Sequence, residues 1–205
     1  MRYGNGVTRE TDPTKKPALL EQILDFLLDK PLSALTFRSL ATALGVSTFT
    51  LVYHFGTRAD LVRDIIEAIA MRQRGFEMVG NPESMTVESY FATLRRTFEI
   101  TLHPRNRALQ RLEFEAQMLE ALETEHAVTR EVHQELQGRG RDALVLLGLT
   151  DRDAVIESRL LIDTFYGIQV GLVVNDDEDR ATAAFDRAME YHCERVTALR
   201  VTADA

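Results

Sequence analysis

The stretch LTFRSLATALGVSTFTLVYHF, residues 35–55, decides how this chain is read. Thr36 is a helix-capping residue type, and Phe37, Leu40, Ala41 and Leu44 follow at the three- and four-residue spacing of one helix face. Gly45 supplies a residue that accepts the left-handed backbone of a helix end, and Ser47 caps a second short helix, expected from Ser47 to Phe55. Ala41 is small where the two helices must cross, and Val46 and Leu51 are apolar where the second must seat on a core. Two short helices joined by a tight glycine turn make a helix-turn-helix. Its second helix is held proud, with Thr48, Phe49, Thr50 and Val52 near the exposed start.

Outward from this motif the chain reads as all-α. All five prolines lie at or before Pro104, and no long apolar/polar alternation of period two occurs. Upstream, Leu19, Leu20, Ile23, Leu24, Leu27 and Leu28 predict a helix over Pro17–Asp29, with Pro17 in its first turn and Pro31 ending it. Downstream, the same reasoning predicts helices over Arg58–Val79, Val87–Leu102, Asn106–Thr124, Val128–Leu147, Ala154–Val174 and Glu178–Leu199. The 205 residues are 45% hydrophobic, enough for a sizeable core, which excludes a disordered chain. A net charge of −8 argues against indiscriminate coating of nucleic acid. That charge is uneven, since the part through Arg72 sums to about +1 and the rest to about −9. The acidic run Asp176 to Asp179 reads as a solvated helix start. A single cysteine, Cys193, cannot close a disulfide within the chain, so a reducing cytoplasm is the expected compartment. Residues 1–16 are polar, carry Arg2, Arg9, Lys15 and Lys16, and read as a flexible arm. The longest later stretch without charge, Thr164 to Asn175, is too short for the roughly 20 residues of a membrane span.

A helix held proud by such a turn has the size to enter the major groove of B-DNA. With Thr-Leu-Val-Tyr-His-Phe at 50–55 and a basic residue at 58 before Asp60 and Leu61, the run from Thr36 to Leu61 resembles the DNA-binding domain of TetR-type transcriptional regulators. The likeness covers roughly the first 75 residues, and the helical remainder is similar in layout to that family's ligand-binding and dimerisation domain. It implies an arm at 1–16, a three-helix DNA-binding domain at 17–75 and, past a linking helix, a larger helical domain at 76–205. It further implies a homodimer that binds double-stranded, palindromic operator DNA as a repressor and releases it when a small-molecule effector enters the larger domain.

Carried over by position, the resemblance puts Thr36 and Ser47 at phosphate oxygens, and Arg38, Thr48, Phe49, Thr50 and Val52 at base edges. It puts Tyr53 and His54 at the DNA backbone and Arg58 at a phosphate. The chemistry suits these roles: hydroxyls and helix N-termini bond phosphate, arginine can pair with guanine, and Phe49 or a threonine methyl can touch a thymine methyl. Two positions depart from the pattern, since the family commonly has an aromatic or polar residue where Val52 sits and a lysine where Arg58 sits. No Lys or Arg lies between Ser47 and Thr57, so base readout is expected to lean on van der Waals contact and on Arg38. Each of these residues also has a plainer role, the hydroxyls as caps, Leu51, Tyr53 and Phe55 as core, and His54 as a satisfied helix-end histidine.

In the remaining helices, Leu109, Leu112, Phe114, Ala116, Met118, Leu119 and Leu122 form a broad apolar arc. Glu115 falls inside it, either as the i, i+4 partner of Arg111 or as a carboxylate facing a ligand. Candidate ligand-binding residues are Phe91, Leu94, Phe98, Leu102, Phe114, Glu115, Met118, Phe165, Tyr166 and Gln169, apolar walls with few polar groups that suit a lipophilic effector. Phe76 and Met78 extend the set if the Arg58 helix reaches them, which would make that helix a lever between effector and DNA. The helix Ala154–Val174 is apolar nearly all round and asks for a second subunit. Leu160, Thr164, Gly167 and Gly171 there, with Phe185, Met189 and Val196 on the last helix, are the candidate dimer interface.

Rival readings are weaker. No Gly-x-Ser-x-Gly elbow, phosphate-cradling glycine loop or His-Glu-x-x-His occurs, so neither an enzyme nor a cofactor is expected. Glu123 and His126 match the Glu-x-x-His spacing of di-iron bundles, but only in a single copy. The alternative kept open is a helical small-molecule carrier or scaffold that uses the same fold without binding DNA.

Overall fold

The computed structural model describes residues 14–74, 85–122 and 127–200. Among these it holds nine α-helices and no strand, as the proline distribution and periodicity predict: α1 (Lys15–Leu27), α2 (Phe37–Leu44), α3 (Thr48–Phe55), α4 (Arg58–Arg74), α5 (Val87–Leu102), α6 (Pro104–Ala121), α7 (Ala127–Leu146), α8 (Asp151–Asn175) and α9 (Glu178–Leu199). The chain divides into two compact units, Met1–Asp64 and Ile65–Ala205.

Three helix starts depart from expectation. Helix α1 starts at Lys15 and takes Pro17 as its third residue, tolerated because the first four N–H groups of a helix have no intrahelical partner. Helix α6 starts two residues before Asn106, with Pro104 in its first position and His103 as its cap. Helix α8 starts at Asp151 because the Thr150 side chain accepts the Asp153 N–H at 3.2 Å. A turn of 3-10 helix, Leu32–Ala34, was not expected. The predicted end of the Arg58 helix beyond Arg74, with Phe76 and Met78, lies outside the described residues, as do Glu123 and His126.

In the first unit, α1 buries Leu19, Ile23, Leu24 and Leu27, and the core continues through Leu32, Leu35, Leu40, Leu51, Phe55, Leu61 and Val62. Of the face expected on α2, Leu40 is fully buried while Phe37, Ala41 and Leu44 are half-buried. Thr36 and Ser39 close a reciprocal capping box, Thr36 Oγ1 accepting the Ser39 N–H at 3.0 Å and Ser39 Oγ the Thr36 N–H at 3.2 Å. Gly45 ends α2 at φ 65°, a left-handed conformation that costs glycine little. Lys16 on α1 pairs with Asp64 at 2.9 Å and lies 5.7 Å from the centre of the Phe55 ring.

The second unit is built round an aromatic trio. Phe98 of α5 stacks flat on Phe185 of α9, centroids 4.2 Å apart, and Phe165 of α8 meets both edge-on at 6.2 and 5.9 Å. Leu144, Leu147, Leu149, Ala154, Leu161, Leu172, Ala181, Met189 and Val196 complete this core. Helices α7 and α8 approach closely at Gly140, where a Cβ would stand 2.4 Å from Ser158 Oγ. The buried Ser158 hydroxyl donates to the Gln137 carbonyl at 2.9 Å, which takes up its polarity at the same crossing.

Candidate nucleic-acid interface and ligand-domain residues

The α2–α3 pair sets its hydroxyls as caps and its apolar side chains outward. Ser47 Oγ accepts the Thr50 N–H at 3.0 Å and lies 2.8 Å from Thr50 Oγ1. Leu51 and Phe55 are buried, and this side fixes which face of α3 points away. Phe49, Val52 and Tyr53 share that outer arc at 78%, 48% and 60% exposure, and Thr48 is also exposed. Thr36, Arg38 and Ser47 are exposed, while Thr50 and His54 are half-buried. His54 meets the Tyr53 ring edge-on at 5.1 Å.

Arg58 has a role that sequence reasoning missed. Its Nε donates to the Leu35 carbonyl at 3.3 Å and its Nη2 to the Leu32 carbonyl at 3.4 Å, stitching the start of α4 to the turn before α2. The signal is present in hindsight, because a 3-10 turn ahead of a capped helix leaves carbonyls that a guanidinium fork can reach. Beside it, Asp60 Oδ2 accepts the Thr57 hydroxyl at 2.7 Å and the Thr57 N–H at 2.9 Å. Those bonds hold the Asp60 carboxyl below its ordinary range, with help from Arg63 and Lys16.

In the second unit the ligand candidates separate into two groups. Phe98 and Phe165 belong to the aromatic trio, with Phe91, Leu94 and Leu102 half-buried against the same core. Phe114 and Tyr166 lie elsewhere, 6.0 Å apart, with His133 of α7 stacked on Tyr166 at 5.1 Å. Gln169 is buried and Met118 is 64% exposed, so Met118 does not line an interior wall of its own unit. Glu115 is half-buried and pairs with Arg111, the plainer of its two readings.

The buried acid of α6 is Glu113, whose Oε1 accepts Gln117 Nε2 at 2.8 Å and the Tyr166 hydroxyl at 3.3 Å, and whose Oε2 accepts Gln110 Nε2 at 2.9 Å. Burial and the Glu113 carboxylate push the Tyr166 hydroxyl well above its usual range. Burial, then the charge of Arg159, lowers His133. The readable signal was position rather than polarity, since Leu109, Leu112, Glu113, Ala116, Gln117 and Glu120 repeat at helical spacing and all are buried.

A second buried polar cluster joins α5, α8 and α9. The Tyr90 hydroxyl and His192 Nε2 share a hydrogen bond of 3.1 Å, and the Phe91 ring meets His192 at 5.6 Å. Burial lowers His192 from its ordinary value, and the neighbouring Glu157 charge opposes that shift. Glu157 is itself buried; its Oε1 accepts Arg195 at 3.0 and 3.2 Å, while its Oε2 has no hydrogen-bond partner among the described residues.

The dimer candidates also separate. Phe185, Met189 and Val196 are 0%, 7% and 0% exposed within their own chain, which corrects their assignment to a partner-facing stripe. The Phe98 and Phe165 rings of the same chain pack on Phe185. On α8, Leu160 is 58% exposed, Gly167 is exposed, and Thr164 and Gly171 are half-buried. Val155, Ile156, Val170 and Val174 extend the outward apolar face of that helix. Among the described residues no group of His, Cys, Asp and Glu is placed to hold a metal ion, and no helix is long and apolar enough to cross a membrane.

No family model matches the sequence, and no curated protein matches it. Solved structures do match. The multidrug binding protein EbrR, solved in complex with imidazole, aligns over 100% of both chains at 19% identity with a TM-score of 0.62. A TetR transcriptional regulator from Legionella pneumophila aligns over 95% of this chain and 100% of its own at 14% identity and a TM-score of 0.63. A TetR transcriptional regulator from Rhodococcus sp. RHA1 aligns over 92% of this chain and 97% of its own, with 16% identity and a TM-score of 0.56. At such identities the likeness speaks for backbone arrangement, and it runs through both the capped α2–α3 pair and the helices that follow: this chain has the all-α fold of TetR-type transcriptional regulators.

Proposed function

We propose that the chain is a cytoplasmic, ligand-responsive transcriptional regulator, a repressor that binds a palindromic operator as a homodimer and leaves it when a small lipophilic effector binds. The observation that carries this reading is the α2–α3 pair, whose second helix is capped by Ser47, seated by Leu51 and Phe55, and turns Phe49, Val52 and Tyr53 outward. A helix with its side chains is about 10–12 Å across, which fits the roughly 12 Å width of the major groove. Thr36, Ser47, Tyr53, His54 and Arg58 are assigned to the phosphate backbone, and Arg38, Thr48, Phe49, Thr50 and Val52 to base edges. Residues 17–75 serve as the DNA-binding domain and 76–205 as the ligand-binding and dimerisation domain.

For the effector, Phe114, Tyr166 and His133 offer aromatic surface beside the Gln110, Glu113 and Gln117 polar group, which supports a ligand with an apolar body and a polar handle. For the dimer, the outward face of α8 with Leu160, Val170 and Val174 supports pairing with a second copy. Release requires the effector to bind the DNA-free state more tightly, so operator DNA weakens effector binding by the same factor.

Selection of binding sites from random duplex DNA by the purified protein tests the reading. A palindromic consensus is expected, with Arg38→Ala changing the preferred bases and Tyr53→Ala weakening all sites about equally. Failure to enrich any sequence would favour the carrier or scaffold.

A further inference from the structure

We propose that α3 reads the C5-methyl groups of pyrimidines in the major groove, so that 5-methylcytosine is accepted in place of thymine and operator binding responds to cytosine methylation. This rests on the operator-binding function proposed above. The ground for it is what α3 turns outward. Ser47 Oγ accepts the Thr50 N–H and lies 2.8 Å from Thr50 Oγ1, so both hydroxyls are engaged in the helix cap. His54 is half-buried against Tyr53, and Leu51 and Phe55 belong to the core. The side chains α3 turns outward are Phe49, Val52 and Tyr53, at 78%, 48% and 60% exposure, with Thr48 exposed at the helix start and bringing a methyl of its own.

Between Ser47 and Gly56 there is no Arg, Lys, Asn, Gln, Asp or Glu. Those are the side chains that bond guanine or adenine in pairs or accept the cytosine amino group. Arg38 on α2 is the one arginine in residues 35–55, which also lack lysine, asparagine and glutamine. An apolar ridge can recognise one feature of the groove floor well, the methyl group at pyrimidine C5. Thymine carries that methyl, and 5-methylcytosine carries it on the same ring carbon, whereas cytosine presents a bare edge there. Phe49 and Val52 are three residues apart and so adjacent on the helix surface, which lets them cover neighbouring base pairs.

The test uses the full chain and an operator duplex obtained by selection. Each thymine is replaced singly by deoxyuridine, which removes the methyl and leaves the pairing edge intact. At the positions α3 covers, affinity should fall about fourfold per methyl, the worth of one buried methyl group. At the same positions a 5-methylcytosine·guanine pair should bind about fourfold more tightly than a cytosine·guanine pair. Phe49→Ala should erase the difference between thymine and deoxyuridine and Phe49→Leu should keep part of it. The exposure of Phe49 leaves the fold intact in both, which their thermal melting checks. Equal binding of thymine and deoxyuridine at every position, equal binding of methylated and unmethylated cytosine, or full discrimination by Phe49→Ala would overturn the inference while the selected operator upheld the regulator. A selection that returned no operator would overturn both.

Discussion

Phe185 offers a direct test of where the second unit keeps its core. The residue is fully buried, stacked on Phe98 at 4.2 Å and met edge-on by Phe165 at 5.9 Å, and the Arg95 guanidinium lies 5.5 Å from its centre. Phe185→Ala removes the middle ring of this trio and leaves a cavity that rigid helices fill only in part. Such truncations cost about 3–5 kcal/mol. The aromatic pairing puts this site toward the upper end, since each ring pair adds about 0.5–1.5 kcal/mol beyond area burial. For a unit of this size each kcal/mol moves the midpoint by about 3 °C, so calorimetry should show a fall of roughly 10–15 °C. Leu160→Ala on the exposed face of α8 is the control, expected within about 0.5 kcal/mol in the protomer and acting on association instead. Both proteins should be melted at low and high protein concentration, because a core defect persists at either while an interface defect fades as mass action restores the dimer. A loss below about 1 kcal/mol for Phe185→Ala, or a loss that vanished at high concentration, would return Phe185 to the interface and refute the packing argument.

Other outcomes follow from the same geometry. Arg58→Ala should lower the unfolding free energy of the first unit, read by urea titration, by about 1 kcal/mol, because the Leu35 carbonyl loses the guanidinium and the Leu32 carbonyl keeps only the Leu35 N–H, and Arg58→Lys should not restore it, since one ammonium cannot span both. His192 is held neutral by burial, with its folded-state pKa depressed below the ordinary 6.5. Its contribution to stability is therefore complete above that value and is lost as pH falls through the depressed pKa; urea titrations across pH 4–8 should show the slope, and His192→Gln should flatten it. Gly167→Leu places a bulky side chain on the open face of α8, where a Cβ meets nothing within 4 Å in the protomer. Sedimentation should show this variant monomeric at concentrations where the parent is dimeric, with its melting of secondary structure otherwise intact.

Local chemistry made much of this molecule legible in advance. The α2–α3 pair follows from Thr36, Gly45 and Ser47, residues whose preferences act within three or four positions and need no knowledge of the rest of the chain. For the same reason α5 and α9 lie where their periodicity puts them, and the all-α class follows from proline placement and spacing. What a residue touches across the fold is a different matter, because an apolar stripe says that a face is buried and leaves open what buries it. Phe185, Met189 and Val196 read equally well as core or interface until Phe98 and Phe165 are placed against them. Polarity is a poor guide in the same way on α6, where Met118 stands exposed while Glu113 and Gln117 go inside: Gln110 and Gln117 donate to the buried carboxylate from one turn away on the same helix, but the Tyr166 hydroxyl that joins them comes from α8. The guanidinium of Arg58 found carbonyls 23 and 26 residues away in the chain. Capping and periodicity are short-range and additive along the sequence, whereas partners for buried charge and aromatic faces are chosen by packing in three dimensions, and that choice belongs to the tertiary structure alone.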